Sequence, residues 1–278
     1  MDDLHIVTVA TESKYYFPYL VESCRKYGKE LEVLGYGEKW KGFNWRFKLM
    51  IEYLQNLNPN DIVCFIDGYD VICTRNLYEI KDVFLKLYNV KKCKIIVGYD
   101  NIKYTNVLNK FIIKHYFGTC KNISLNAGTY IGYAKDLLEI IEQILDVNSD
   151  DKADDQQLLT NFCNANDSLF YIDVSNDIFL TIDHPLHEID HIINIDENKK
   201  ISYNKKFPFF LHAPGATYLD NTIQKLSSYN EYIDINKTIK HKYGLIHIIV
   251  IKHSNSLIIS VIFIIMFIFF FIYKHLKK

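Results

Sequence analysis

The chain has few of the residues that interrupt a backbone, with 5 prolines and 11 glycines among 278 residues. It has no excess of either charge. Its 32 basic and 33 acidic residues leave a net charge of -1, which removes the electrostatic footprint of a nucleic-acid binder. It has no Cys-x-x-Cys pair. Cys24, Cys64, Cys73, Cys93, Cys120 and Cys163 are scattered, so neither zinc-site spacing nor a disulfide framework is present. All six are expected as reduced, buried thiols. The N-terminus, Met1 to Val7, has no basic n-region and no long apolar stretch, and so does not read as a secretory signal. No internal repeat is evident. What remains is ordinary for a globular protein with a real core: 49% hydrophobic and 23% charged residues, enough for one large domain or two small ones.

The exception is the C-terminus. From Leu257 to Tyr273, Ser260 is the one polar side chain apart from the terminal tyrosine hydroxyl. Lys252 and His253 precede this stretch, and Lys274, His275, Lys277 and Lys278 follow it. A membrane-crossing helix needs about 17–25 apolar residues, and no face of this one is polar. The expectation is a single-pass membrane protein anchored at its C-terminus. Its domains would be a folded unit over 1–220, a stem over 221–255, and a transmembrane helix with a short basic tail over 256–278. The N-terminus favours a cytosolic domain, whereas lysine-rich flanks also tend to stay cytoplasmic, so the side of the membrane is left open. Sequons at Asn122, Asn166 and Asn236 would matter only for a lumenal domain.

Between the ends, strands alternate with helical patterns. Leu4 to Ala10 reads as a strand, Tyr15 to Tyr27 as a helix and Leu31 to Tyr36 as a strand, a β–α–β order that points to a parallel sheet. A helix over Phe47–Leu57 follows a loop holding Trp40 and Trp45. Further helices are expected over Tyr78–Leu87 and Leu137–Leu145. Strands are expected at Lys94–Tyr99, Leu169–Ile172, Ile178–Ile182 and Phe207–His212. The fold class is α/β, with a mainly parallel sheet and flanking helices.

The stretch that organises the chain is Asp61 to Ile72. Ile62–Ile66 is a short, wholly apolar run with β-branched and aromatic members, as in a central strand covered on both faces. It runs into Asp67-Gly68-Tyr69-Asp70. Carboxylates at the carboxyl end of such a strand lie where open α/β sheets bind ligands, and two of them suit a hard divalent cation. A plain turn is the competing reading, because Asp-Gly favours turns. Leu125-Asn126-Ala127-Gly128 leaves two readings open, a close approach of a ligand or backbone, or a strand with a bulge. Asp154 and Asp155 open a helix, and acids there are explained by capping and the helix dipole alone. His212 ends a late strand. His184 and His187 read as surface loop residues.

The ordered set of motifs resembles the glycosyltransferase domain of the multifunctional procollagen lysyl hydroxylases. The residues that carry the resemblance are Val7–Thr11, Leu34–Trp40, Phe65–Val71, Leu125–Gly128, Asp154–Gln156 and His212–Gly215, over roughly residues 4–220. It implies a GT-A-like, Rossmann-like fold that transfers glucose or galactose from a UDP-sugar with Mn2+. The acceptor would be hydroxylysine or galactosyl-hydroxylysine of a collagen-like polypeptide. By position, Asp67, Asp70 and His212 would hold the metal. Val9, Ala10 and Thr11 would line the uridine, and Tyr69 would stack on the base. Gly215, Ala216 and Thr217 would meet the diphosphate, and Asp154 and Asp155 would face sugar and acceptor.

Two departures stand out. Tyr218 occupies the position where the family places a lysine, with Lys48 or Lys225 as candidate substitutes, and the acidic run before Gln156 is shorter than the family's. A catalytically weak or inactive protein of the same fold, acting as a binding or scaffold protein at a membrane, is therefore the alternative. A nucleotidyltransferase is disfavoured, since no phosphate-binding loop of that type is present.

Overall fold

The computed structural model describes residues 3–226, together with Met266 and Ile268. The expected membrane span, Leu257–Tyr273, lies outside the described residues apart from those two. No helix among the described residues is long and apolar enough to cross a membrane.

The first half of the sheet is built as the pattern suggests. Strand β1 (Leu4–Val9) leads to helix α1 (Phe17–Lys26), strand β2 (Leu31–Leu34), helix α2 (Trp45–Leu54) and strand β3 (Ile62–Ile66). β1 lies between β2 and β3, parallel to both. Every residue of β3 is buried. Its side chains alternate with the pleat: Val63 and Phe65 enter one core, while Ile62, Cys64 and Ile66 enter the other.

After β3 the chain turns through Asp67–Asp70 into β4 (Val71–Cys73). Then come α3 (Ile80–Lys91), β5 (Ile95–Asn101), α4 (Val107–Ile112), β6 (Leu125–Tyr133), α5 (Ala134–Val147) and α6 (Asp155–Ala165). The remaining elements are β7 (Phe170–Ile172), β8 (Phe179–Ile182), the hairpin β9 (Asn194–Ile195) with β10 (Ile201–Ser202), β11 (Phe210–His212) and α7 (Asp220–Leu226). The main sheet runs β2-β1-β3-β6-β5-β8-β11-β4, and β7 also pairs with β5.

Most pairings in the main sheet are parallel, as expected, but two strands run the other way. β6 pairs antiparallel with both β3 and β5, and β4 pairs antiparallel with β11. A buried strand reads the same in either direction, because apolar periodicity carries no polarity.

α2, α5 and α6 cover one face through Phe47, Met50, Leu137, Ile140, Ile144 and Leu159. α1 and α3 cover the other through Leu20, Cys24, Ile80 and Phe84. A third cluster joins Ile182, Leu211 and Leu219 to Ile223 of α7. The segment expected as a stem thus begins with a helix that packs on the domain.

One expectation about the thiols is overturned. Cys120 and Cys163 form a disulfide with Cα atoms 5.9 Å apart, joining the segment before β6 to α6. The other cysteines are buried free thiols. The bonded pair is 43 residues apart in sequence, and only the docking of α6 beside β6 brings the two together.

Candidate active site

The site lies at the carboxyl ends of β1, β3, β5, β8 and β11, where a mixed α/β sheet leaves a crevice. The antiparallel register of β11 with β4 sets His212 opposite Val71, next in the chain to Asp70. His212 is therefore delivered to the acidic turn by strand pairing. Its Nε2 lies 3.2 Å from Asp70 Oδ1 and 3.7 Å from Asp67 Oδ2. One ligand atom from each of Asp67, Asp70 and His212 falls within 4.8 Å of the others. His212 is 1% exposed, and its buried Nε2 makes no well-aligned hydrogen bond. Two carboxylates and an imidazole whose nitrogen is aimed at them form a donor set suited to a divalent cation such as Mn2+ or Mg2+. Burial pulls the His212 pKa down, but Asp70, then Asp67 and Asp100, raise it above its ordinary value.

β6 shapes the floor of the site. Its pairing with β5 slips between Val97 and Gly98, so that Val97 faces Tyr130 while Gly98 faces Asn126. The bulged backbone meets the acidic turn, and Asp67 N donates to Gly128 O at 2.8 Å. A Cβ on Gly128 would sit 2.2 Å from Asp67 Oδ2. Both readings of Leu125–Gly128 therefore hold, since the strand is bulged and the glycine admits a close neighbour.

Asp154 and Asp155 separate. Asp154 caps α6, its Oδ1 accepting from Gln157 N at 2.9 Å, as the helix-capping reading expects. Asp155 turns inward, 3% exposed, and meets Arg46 of α2. Arg46 Nε donates to Asp155 Oδ2 at 2.8 Å, and a second nitrogen reaches the same oxygen. Its remaining arm pairs with Asp67 Oδ1. Burial pushes Asp155 up to about 6, with Arg46 opposing that rise and Asp67 adding to it. Burial works against the charge on Arg46, and Asp155 and Asp67 outweigh it, so that its pKa is raised.

Behind this pair lies a buried amide network. Asp100, at the end of β5, accepts from Asn126 Nδ2 at 2.7 Å and Gln156 Nε2 at 3.0 Å. Asn126 Oδ1 in turn accepts from Gly128 N at 3.0 Å. Burial raises Asp100 to about 6 despite these donors and the nearby His212. Asp183, after β8, is raised to about 7 by burial and then by Asp100.

A cleft of about 250 Å³ opens above the acids, lined by Val9, Thr11, Lys14, Tyr15, Trp40, Phe43, Arg46 and the turn Asp67–Asp70. Tyr69 is fixed across it, its hydroxyl accepting from Thr11 N at 2.9 Å. Lys14 Nζ lies 5.1 Å from the Tyr69 ring. Trp40, 39% exposed, packs edge-on against Phe43 and Trp45. Of the residues expected at a uridine, Val9, Thr11 and Tyr69 line the cleft, while Ala10 is fully buried.

Gly215, Ala216 and Thr217 are not among the residues that line this cleft. Gly215 takes a φ of 68°. Ala216 O accepts from Leu186 N, and Thr217 Oγ1 from His184 N, each at 2.9 Å. Lys48 pairs with Asp151 and Lys225 with Asp190, and neither lines the cleft. The cations lining the cleft are Lys14 and Arg46. Sequence reasoning missed both, along with Asp100. Arg46 had a signal, for it stands between Trp45 and Phe47 at the start of an apolar helix, where a solvated arginine is out of place.

The fold and this crevice define a glycosyltransferase-type α/β domain. The family model described as "PLOD GT domain" matches residues 1–242, and the chain belongs to that family. A Drosophila melanogaster procollagen-lysine,2-oxoglutarate 5-dioxygenase is 24% identical over 246 residues, which cover 84% of this chain and 32% of the fly protein. The Caenorhabditis elegans multifunctional procollagen lysine hydroxylase and glycosyltransferase is 24% identical over 78% of this chain and 31% of its own length. The chain thus spans about a third of these relatives. A crystal structure of a glycosyltransferase involved in glycosylation of the major capsid of PBCV-1 aligns with 77% of this chain and 95% of its own, at 11% identity and a TM-score of 0.45.

Proposed function

We propose that this protein transfers glucose or galactose from a UDP-sugar, with Mn2+, to hydroxylysine or galactosyl-hydroxylysine of a collagen-like chain. The observation that carries the reading is the convergence of Asp67, Asp70 and His212 beneath an aromatic-lined cleft in a member of the PLOD GT domain family. A cation held by these three side chains would neutralise charge on the departing diphosphate. Tyr69 and Trp40 offer faces for the base, and Val9 and Thr11 line the cleft beside them. Arg46 holds Asp67 and Asp155 in place. By the family resemblance Asp155 would face sugar and acceptor; it and the amide-supported Asp100 lie buried and do not line the cleft. Gly215–Thr217 fit as support for the strand end that presents His212.

The test is donor turnover by the full chain with Mn2+ and each UDP-hexose. Asp67→Ala and Asp70→Ala should abolish it, and full activity in either variant rejects the metal role. The second reading, a binding or scaffold protein of low turnover, is favoured by one feature, Tyr218 in place of a cation near the diphosphate. Stabilisation by UDP with Mn2+ but no turnover with any UDP-hexose would select it.

The same reading keeps the membrane anchor at Leu257–Tyr273, on hydropathy. The Cys120–Cys163 disulfide supports a domain that folds in an oxidising compartment. Asn122 is exposed, and its glycosylation in secretory cells, lost in Asn122→Gln, would test the lumenal side.

A further inference from the structure

Strand β8 is buried along its whole length, from Phe179 to Ile182, and Thr181 is its one polar side chain. Thr181 is 1% exposed. A hydroxyl in such a place costs free energy unless it has a partner, and strand pairing supplies one. β8 lies between β5 and β11 and runs parallel to both, with Thr181 level with Asp100 on one side and with His212 on the other. Side chains level with one another on neighbouring strands leave the sheet by the same face. Thr181 Oγ1 is 3.5 Å from His212 Nδ1, at the long end of the hydrogen-bonding range. The other ring nitrogen, Nε2, faces Asp70 and Asp67 and is buried with no well-aligned partner. The imidazole thus has a hydroxyl at one nitrogen and two carboxylates at the other.

We propose that Thr181 is a positioning residue for His212: its hydroxyl accepts the Nδ1 proton and holds the ring with the Nε2 lone pair turned toward Asp67 and Asp70. This role rests on the cation reading of Asp67, Asp70 and His212 given above. A neutral imidazole carries one proton, on one nitrogen or the other. For Nε2 to ligate, that proton must sit on Nδ1, and whatever is bonded to Nδ1 must accept it. A threonine hydroxyl can accept there, because its oxygen has lone pairs and its own hydrogen is free to rotate away. An acceptor on the second nitrogen is what fixes the tautomer and ring plane of a ligating histidine. Threonine is β-branched and stiff at χ1, so a hydroxyl carried on this buried strand is held in place before any cation arrives. No side-chain rearrangement is needed for the role, since the present rotamers already set Oγ1 against Nδ1 and Nε2 against the acids. Thr181 acts through His212 alone and does not line the cleft.

The test is calorimetric titration of Mn2+ into the metal-stripped full chain, with and without UDP, in the parent, Thr181→Val and Thr181→Ser. Valine keeps the branched shape and removes the acceptor, whereas serine keeps the hydroxyl. Mn2+ affinity should fall about tenfold or more in Thr181→Val and be largely restored in Thr181→Ser. Proton NMR of the chain loaded with Cd2+, a diamagnetic stand-in, gives a readout that packing alone does not move. A downfield Nδ1–H resonance, identified by its absence in His212→Ala, should appear in the parent and in Thr181→Ser and be shifted or lost in Thr181→Val. Parent-like Mn2+ affinity or an unmoved resonance in Thr181→Val would overturn the role of Thr181 and leave the cation site standing. So would a Thr181→Ser protein as weak as Thr181→Val, which would mark lost packing rather than a lost hydroxyl. A parent that binds no Mn2+ in either condition would overturn the cation site and this role with it.

Discussion

Arg46 Nε donates to Asp155 Oδ2 at 2.8 Å while another arm of the same guanidinium pairs with Asp67. One buried cation from α2 thereby ties the amino end of α6 to the turn after β3, elements 109 and 21 residues away from it in the chain. The planar fork of arginine suits this two-sided pairing, and a lysine ammonium does not reproduce it.

Arg46→Ala leaves two carboxylates without their cation, one of them buried. Breaking a buried pair by removing one partner costs about 3–5 kcal/mol. The variant should melt markedly lower than the parent, and Arg46→Lys should fall between the two. Calorimetric melting of the three proteins checks the order, and an unchanged melting temperature in Arg46→Ala contradicts it.

Gly128→Ala places a methyl 2.2 Å from Asp67 Oδ2. The carboxylate must swing aside or the bulge must shift, at a cost of about 1–3 kcal/mol. The variant should remain folded but bind UDP with Mn2+ at least about tenfold more weakly, as misplacement of an essential group by an ångström predicts. Titration calorimetry beside circular dichroism separates the two effects.

Asp183 sets a pH dependence of stability. Its folded pKa is raised by burial to about 7 from 3.8. The folded protein therefore binds more protons than the unfolded chain between roughly pH 4 and 7, and stability falls as pH rises through that window. Asp183→Asn removes this term. The variant should gain stability relative to the parent at pH 8, by at most on the order of 4 kcal/mol, and little at pH 4. Denaturant melts at the two pH values give the difference, and an equal effect at both contradicts the assignment.

The Cys120–Cys163 link closes 43 residues and should stabilise the fold by about 2–4 kcal/mol. Reduction, or Cys163→Ala, should lower the melting temperature; Cys163→Ala should then show no further dependence on reductant, whereas Cys64→Ala should keep it.

The parts of this site legible in the sequence are those written into local pattern. Ile62–Ile66 announces a buried strand, and Asp67 and Asp70 at its end follow from that. His212 is legible as the end of an apolar run, but its meeting with Asp70 depends on the β4–β11 register, which no local signal encodes. The acids opening α6 are alike as residues. Only the docked helix tells the capping Asp154 from the inward Asp155. Arg46 stands out locally between Trp45 and Phe47, but its partners lie across long stretches of chain and were invisible for that reason, as were the disulfide and the antiparallel direction of β6.

The measurement that bears most directly on the active-site reading is titration of UDP into the full chain with and without Mn2+, repeated in His212→Ala. Binding that requires Mn2+ in the parent and is lost in His212→Ala is the expected result. UDP binding of equal strength without Mn2+, or undiminished in His212→Ala, would contradict it.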